Sequence, residues 1–140
     1  ANTVTASETV SSANGLIAFR TDLDGVITYR DIHDTNRMIE AAAKYKHAVV
    51  IGGGLLGLEA ANGLKLRGMN VTVVHIGPWL MERQLDEAAG LVLQRDLESR
   101  GLEILTRAHL EEIIGEERVR ATDITATGGN VQLLGLSGKA

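Results

Sequence analysis

The sequence predicts a three-layer α/β domain with a parallel sheet and a small antiparallel β-meander. Three observations predict this fold. Apolar runs at 48–51, 71–74 and 102–105 alternate with helical patterns at 58–67 and 86–100. A glycine-rich segment joins the first of these runs to its helix. Later in the chain, glycine-containing turns separate three further strand-like runs.

Composition excludes several classes of function. The chain has 140 residues, which suits one domain, and a net charge of −4, which disfavours binding to nucleic acid or to an anionic membrane. It contains no cysteine, so it has neither a thiolate nucleophile nor a cysteine-ligated metal centre. The scattered histidines lack ligand spacing, and we expect no metal site. Because the sequence has neither a long apolar run nor signal-peptide features, we expect a cytoplasmic protein.

The first part of the chain is polar. We expect residues 1–23 to form a lead-in segment and residues 24–140 to form the domain. A short apolar stretch at 26–29 predicts a strand. Asp34 stands at the N-cap position of a predicted helix over 35–45, whose apolar face would cover the sheet.

The central unit follows as strand, helix, strand, helix and strand. Four consecutive apolar residues at 48–51 are typical of a strand that is buried on both faces of a parallel sheet. Gly68 and Gly101 follow the two predicted helices and mark their carboxyl-terminal ends. Because these elements alternate, we expect parallel strands joined by helical crossovers. The later runs have the spacing of a meander: 110–114, 119–122 and 131–134.

The glycine-rich segment matches the pattern G-x-G-x-x-G at Gly52, Gly54 and Gly57. Gly52 lets the chain turn sharply, Gly54 lets a pyrophosphate approach the backbone, and Gly57 lets the helix pack closely on the strand. Gly53 completes three successive glycines, each of which costs about 0.5–1 kcal/mol relative to alanine. A plain strand-to-helix turn without a ligand is the alternative, but it does not need this many glycines. The segment therefore predicts a dinucleotide-binding loop.

The helix that follows the glycines contributes further candidates. The amides of Leu55 and Leu56 would face an anion with the helix dipole behind them. Glu59 lies close behind; its spacing favours a carboxylate that merely stabilises the start of the helix. Trp79, which follows Pro78, is expected to cover the adenine side of the cofactor.

The end of the second central strand departs from the usual fingerprint. An acidic residue commonly stands there and binds the ribose 2′-hydroxyl, but this chain has His75. A neutral imidazole could stack on the ribose or donate a hydrogen bond, and a protonated one could tolerate a 2′-phosphate. Arg83 could also reach a phosphate, or be a solvated surface residue. The choice between NADH and NADPH therefore stays open.

Several stretches resemble the NAD(P)H-binding domain of the FAD-dependent pyridine nucleotide–disulfide oxidoreductases: residues 25–30, Asp34 and residues 48–61. Residues 71–75 and 80–86 are similar to the large subunits of assimilatory NAD(P)H nitrite reductases, in which histidine ends that strand. The resemblance covers residues 24–120.

The resemblance implies a domain that is inserted within an FAD-binding domain and holds NAD(P)H for hydride transfer to the flavin. Electrons then pass to iron–sulfur and sirohaem centres elsewhere in such enzymes. It also implies a place for Glu59 near the nicotinamide. This chain has one dinucleotide fingerprint and no cysteine, and its tail at 121–140 differs from the family pattern. We therefore interpret it as an excised or truncated Rossmann-type domain, with FAD bound by the parent enzyme rather than by this segment.

The predicted function is NAD(P)H binding as the electron-donor module of a flavin-dependent reductase. The partner would be the FAD-binding domain of the parent chain, and faces left exposed without it could make the isolated domain self-associate. No residue stands out as a catalytic acid, base or nucleophile, so we expect the isolated chain to be inactive in reduction. The alternatives are an FAD-binding domain, or a non-enzymatic module with a dinucleotide-sensing or structural role.

Overall fold

The computed structural model describes residues 3–6, 11–12, 15–16, 26–28, 32–115, 119–126 and 129–133. The strands are β1 (Thr3–Ala6), β2 (Ser11–Ser12), β3 (Gly15–Leu16), β4 (Val26–Thr28), β5 (His47–Ile51), β6 (Asn70–Val74), β7 (Glu103–Leu105), β8 (His109–Gly115), β9 (Val119–Ala126) and β10 (Gly129–Leu133). The helices are α1 (Ile32–Lys44), α2 (Leu55–Leu66) and α3 (Glu87–Ser99).

A five-stranded parallel sheet forms the centre of the fold, with the strand order β4-β1-β5-β6-β7. Helix α2 connects β5 to β6, and α3 connects β6 to β7. This arrangement confirms the predicted α/β class. The predicted meander is also present, because β8, β9 and β10 pair antiparallel in a separate sheet. The last predicted strand residue, Leu134, lies outside the described residues.

Both faces of the central strands are buried, as the unbroken apolar runs predict. Val50 and Val73 point to the face on which all three helices pack. Their neighbours Val49 and Val74 point to the opposite face and are also buried. Burying a side chain of this size stabilises the fold by about 1.5–3 kcal/mol. The sheet therefore gives the strand ends a rigid support.

Strand β1 differs from the expectation of a polar lead-in segment. Val4 lies opposite Val26 on one side and Val49 on the other, so β1 is an interior strand of the parallel sheet. The sequence does not predict this strand, because two of its four residues are threonine and the run is therefore not continuously apolar. Its partner strands also lie far along the chain. The proposed division of the chain at residue 24 stays a prediction.

The helix boundaries show two corrections. Helix α1 begins at Ile32, so Asp34 lies in its first turn and not at the predicted N-cap position. Helix α2 begins at Leu55, three residues before the predicted start, so Gly57 belongs to the helix. The helix ends agree better with the sequence, since Gly68 and Gly101 follow α2 and α3 with φ angles of 92° and 95°. None of the helices in the described part of the chain is long and apolar enough to cross a membrane.

Candidate functional site

The glycine loop, residues 52–57, joins the end of β5 to the start of α2. Gly52 has a φ angle of 113°, which favours glycine over every other residue, and its amide donates to the carbonyl of Val74 at 2.8 Å. A Cβ atom on Gly57 would overlap the carbonyl oxygen of Gly52. Both glycines are therefore needed for the close approach of helix and strand, for the reasons that the sequence gives.

Gly54 has a different environment. It is the N-cap residue of α2, its backbone is extended, and a Cβ atom there would meet no atom within 4 Å. The amides of Gly54, Leu55 and Leu56 have no acceptor among the residues that the structure describes. The first turn of the helix therefore presents free N–H groups next to open space, which is the arrangement that binds anions.

His75 lies directly after β6 and is buried, with 5% of its surface exposed. Its Nδ1 accepts a hydrogen bond from the Gly53 amide at 2.9 Å. Its Nε2 lies 2.6 Å from Oε2 of Glu82. Since Nδ1 accepts, the neutral ring carries its proton on Nε2 and donates it to the carboxylate. The imidazole thus joins the glycine loop to the turn at 76–84.

The backbone of His75 is bonded as well. Its amide donates to Leu105 at 2.8 Å, and its carbonyl accepts from Ala108 at 3.0 Å. Gly53 is required beside it, because a Cβ atom there would lie 2.8 Å from the ring and 2.6 Å from Leu80. His75 therefore serves to hold three loops together, and the structure leaves neither ring nitrogen free for a ligand. The expected hydrogen bond from the neutral imidazole to the adenosine ribose does not fit this geometry, whereas the expected stacking of the ring on the ribose stays a prediction.

Glu82 supplies the carboxylate at this edge of the sheet. Its side chain is 32% exposed and faces the same cleft as the glycine loop. Burial by itself would raise the pKa of Glu82. Hydrogen bonds from its own amide and from His75, with the positive charge of Arg83, hold that pKa below its usual range. Glu82 is therefore ionised at neutral pH.

These elements surround a cleft of about 330 Å³ at the carboxyl ends of β5 and β6. Most of the predicted site residues line it: Gly52, Gly53, Gly54, Leu55, Leu56, Gly57, His75 and Arg83. Residues that the sequence did not predict as site residues also line it, among them Met81 and Glu82. Ligands of open α/β sheets bind at this edge, where the loops meet.

Two predicted residues lie elsewhere. Glu59 is exposed on α2 and does not line the cleft. Trp79 does not line the cleft either: its Nε1 donates to the carbonyl of Leu85 at 2.8 Å, and its ring lies against Gly90 of α3. Its expected role as a cover for the adenine is therefore not supported, since its contacts fasten the turn at 76–84 to α3.

Glu82 is the residue that sequence reasoning missed. Residues 80–86 form a recognisable motif, but within it only the positive charge of Arg83 points to a phosphate. The available signal was a carboxylate a few residues beyond a strand end that carries histidine where an acid is usual. In the described ranges, no group of three or more His, Cys, Asp or Glu side chains could hold a metal ion.

The parallel sheet and the glycine loop at its strand-to-helix junction define a Rossmann-type domain. The chain belongs to the pyridine nucleotide-disulphide oxidoreductase family, whose sequence profile matches residues 4–137. The predicted resemblance to this family is therefore confirmed.

Relatives and solved structures agree with this assignment. The chain is 55% identical over 98 residues to the nitrite reductase [NAD(P)H] of Bacillus subtilis (strain 168), covering 70% of this chain and 12% of that protein. It is 41% identical over 95 residues to the nitrite reductase (NADH) large subunit of Escherichia coli (strain K12), covering 68% and 11%. Its fold matches that of a NAD-dependent persulfide reductase from A. fulgidus, with a TM-score of 0.74 and 25% identity over 92% of this chain and 24% of that one. The chain thus corresponds to a small part of each relative.

Proposed function

We propose that this chain binds NAD(P)H and presents the nicotinamide for hydride transfer to an FAD held by another domain of a nitrite reductase-like flavoenzyme. The observation that carries the proposal is the open backbone at Gly54 beside the unbonded amides of Leu55 and Leu56. A pyrophosphate group fits this place by charge and by size. The names of the Bacillus and Escherichia relatives, which specify NAD(P)H and NADH, support the same cofactor class.

The physical basis is the anion site at the start of α2. Each free N–H group can donate to a phosphate oxygen, and the helix dipole places partial positive charge at the same point. Gly54 lacks the Cβ atom that would hold the phosphate away from these amides. The glycine loop is fixed by the bonds of Gly52 to Val74 and of Gly53 to His75, so the donors are oriented before a ligand arrives.

The chain's own residues bind and orient, and the nicotinamide supplies the hydride when it is bound. Among the described residues that line the cleft, none forms a nucleophile–base pair. We expect the isolated chain to bind the dinucleotide without reducing nitrite.

An apolar surface beside the cleft is the proposed contact with the FAD-binding domain. Leu55, Leu56 and Ile76 line the cleft and are 58%, 50% and 57% exposed. Large exposed apolar side chains in one place are typical of a surface that another domain covers. In the isolated chain the same surface would favour self-association, which sedimentation over a range of concentrations measures.

The proposal is tested by replacing Gly54 with valine. The extended backbone and the open space admit a valine side chain without a clash, so Gly54→Val should fold normally. The branched side chain would then occupy the place of the pyrophosphate. We expect NADH affinity to fall at least about a hundredfold, because several charge-assisted hydrogen bonds are lost together.

Gly63→Val is the matched control. Gly63 is exposed on the same helix and also has open space around its Cβ position, but it does not line the cleft. The two variants and the unsubstituted 140-residue chain are titrated with NADH, NADPH and FAD by calorimetry. Equal affinities in Gly54→Val and Gly63→Val would contradict the assigned loop. Binding of FAD in place of NAD(P)H would favour the alternative of an FAD-binding domain.

A further inference from the structure

We propose that Glu82, positioned by His75, binds the hydroxyl groups of the adenosine ribose, so that this cleft takes NADH in preference to NADPH. The inference rests on the proposed function and assigns its specificity to one carboxylate. That carboxylate does not stand at the end of β6, where the usual fingerprint has it, but in the turn that follows.

The first support is the occupancy of His75. Both of its ring nitrogens are engaged, one by Gly53 and the other by Glu82, so the imidazole cannot donate to a ribose. Glu82 is bonded to the imidazole, lines the cleft and is one-third exposed. Among the residues that line the cleft in the described part of the chain, Glu82 is the acidic one, so its carboxylate is the acidic group available to a ligand at the end of β6.

The second support is the hydrogen-bonding capacity of the carboxylate. An ionised glutamate accepts about four hydrogen bonds and donates none. The structure accounts for one from His75 and one from its own amide. The remaining capacity suits two donors side by side, which is what the 2′- and 3′-hydroxyl groups of an unphosphorylated ribose offer.

The third support is the backbone around Glu82. Met81 has a φ angle of 53°, a conformation that costs a non-glycine residue about 1 kcal/mol or more. It is held there by a hydrogen bond from its amide to the carbonyl of Gly53 at 3.1 Å. Gly77 leaves the space for the carboxylate, because a Cβ atom there would lie 2.8 Å from Glu82 and 2.7 Å from His75. The positive φ angle of Met81 and the absence of a Cβ atom at Gly77 together allow Glu82 to lie against His75.

Charge then decides between the two cofactors. A 2′-phosphate would place its negative charge against the ionised carboxylate and would leave only the 3′-hydroxyl to donate. Arg83, the next residue, is exposed and lines the cleft. If the guanidinium of Arg83 faced the ribose in place of the Glu82 carboxylate, the cleft would prefer NADPH. The ratio of the two affinities therefore distinguishes a role for Glu82 from a role for Arg83.

The experiment is calorimetric titration of the whole chain with NADH and with NADPH. We expect the unsubstituted chain to bind NADH at least about tenfold more tightly than NADPH, which is the ratio of affinities that one charge-assisted hydrogen bond supports. In Glu82→Gln the amide oxygen can still accept from His75, but the charge is gone, and the preference should fall to about threefold or less. Glu98→Gln makes the same change on the exposed surface of α3 and should keep the ratio of the unsubstituted chain.

The outcomes separate this inference from the proposed function. Equal affinity of the unsubstituted chain for both cofactors would overturn the role of Glu82 and leave dinucleotide binding intact. Tighter binding of NADPH, with loss of that preference in Arg83→Gln, would do the same. An unchanged preference in Glu82→Gln, with an unchanged melting temperature, also overturns the role of Glu82. A chain that binds neither cofactor refutes the proposed function and this inference with it.

Discussion

Replacing His75 tests how the rim of the cleft is held together. His75→Ala removes the acceptor of the buried Gly53 amide and the donor to Glu82, and leaves a space beside Gly53. A buried donor without a partner costs about 1–3 kcal/mol. Loss of the packed ring adds to this, so we expect the free energy of unfolding to fall by about 2–4 kcal/mol.

Two further substitutions divide that loss between the ring nitrogens. In His75→Asn the side-chain oxygen can take the place of Nδ1 and accept from Gly53, while the contact with Glu82 is lost. In His75→Gln the amide nitrogen can take the place of Nε2, while the acceptor for Gly53 is displaced. Because the Gly53 amide is buried and Glu82 is partly exposed, we expect Asn to retain more stability than Gln or Ala.

The measurement is urea unfolding at neutral pH, followed by Trp79 fluorescence and by circular dichroism. Equal slopes against urea would show that the variants unfold the same amount of surface. A loss below about 0.5 kcal/mol in His75→Ala would refute the reasoning. Equal losses in the Asn and Ala variants would also refute it, because the Gly53 bond would then contribute nothing.

Three other predictions follow from local geometry. Gly57→Ala should destabilise the chain by at least about 1–3 kcal/mol in urea unfolding, because its Cβ atom would overlap the carbonyl of Gly52. Gly63→Ala, which has open space, should stabilise the chain slightly. Equal effects of the two substitutions would contradict the close approach of α2 to β5. Asp86→Ala should cost about 1 kcal/mol in the same assay through loss of the N-cap bond of α3, and Asp86→Asn should restore most of it. Because folding lowers the pKa of Glu82, its ionised carboxylate stabilises the fold at pH values above the ordinary pKa of 4.5, and this stability should be lost as the pH falls through the lower pKa of the folded state. Glu82→Gln should therefore flatten the acidic part of the plot of unfolding free energy against pH. Parallel plots for the two proteins would contradict the lowered pKa.

Local patterns predicted most of the central unit. The strand–helix–strand order, the helix stops at Gly68 and Gly101 and the meander all depend on short-range signals, such as β-branched runs and glycines with positive φ angles. The start of α2 was placed three residues late, because a glycine-rich segment resembles a loop even where its last residues are helical. Strand β1 could not be predicted, since its place depends on partners far along the chain.

The candidate site was predicted in outline, but Glu82 was not predicted as one of the residues that line it. The glycines and the leucine amides follow from the motif and its position between strand and helix. The orientation of His75 does not follow from sequence, because a histidine at a strand end can face either the ligand or the protein. Only the geometry shows the ring turned inward against Gly53, with Glu82 beyond it. The role of Glu59 follows from the family resemblance and that of Trp79 from its place after Pro78, and neither specifies the direction of a side chain.

The engagement of every polar atom of His75 has a consequence for how a ligand enters. Three successive connections along the sheet edge are bonded to this single residue, so none of them can move away without breaking its bonds to His75. The mouth of the cleft is therefore preorganised, and little ordering entropy remains to oppose association. A cofactor bound as proposed would meet a preformed surface, and its dissociation rate would depend on the contacts it makes there.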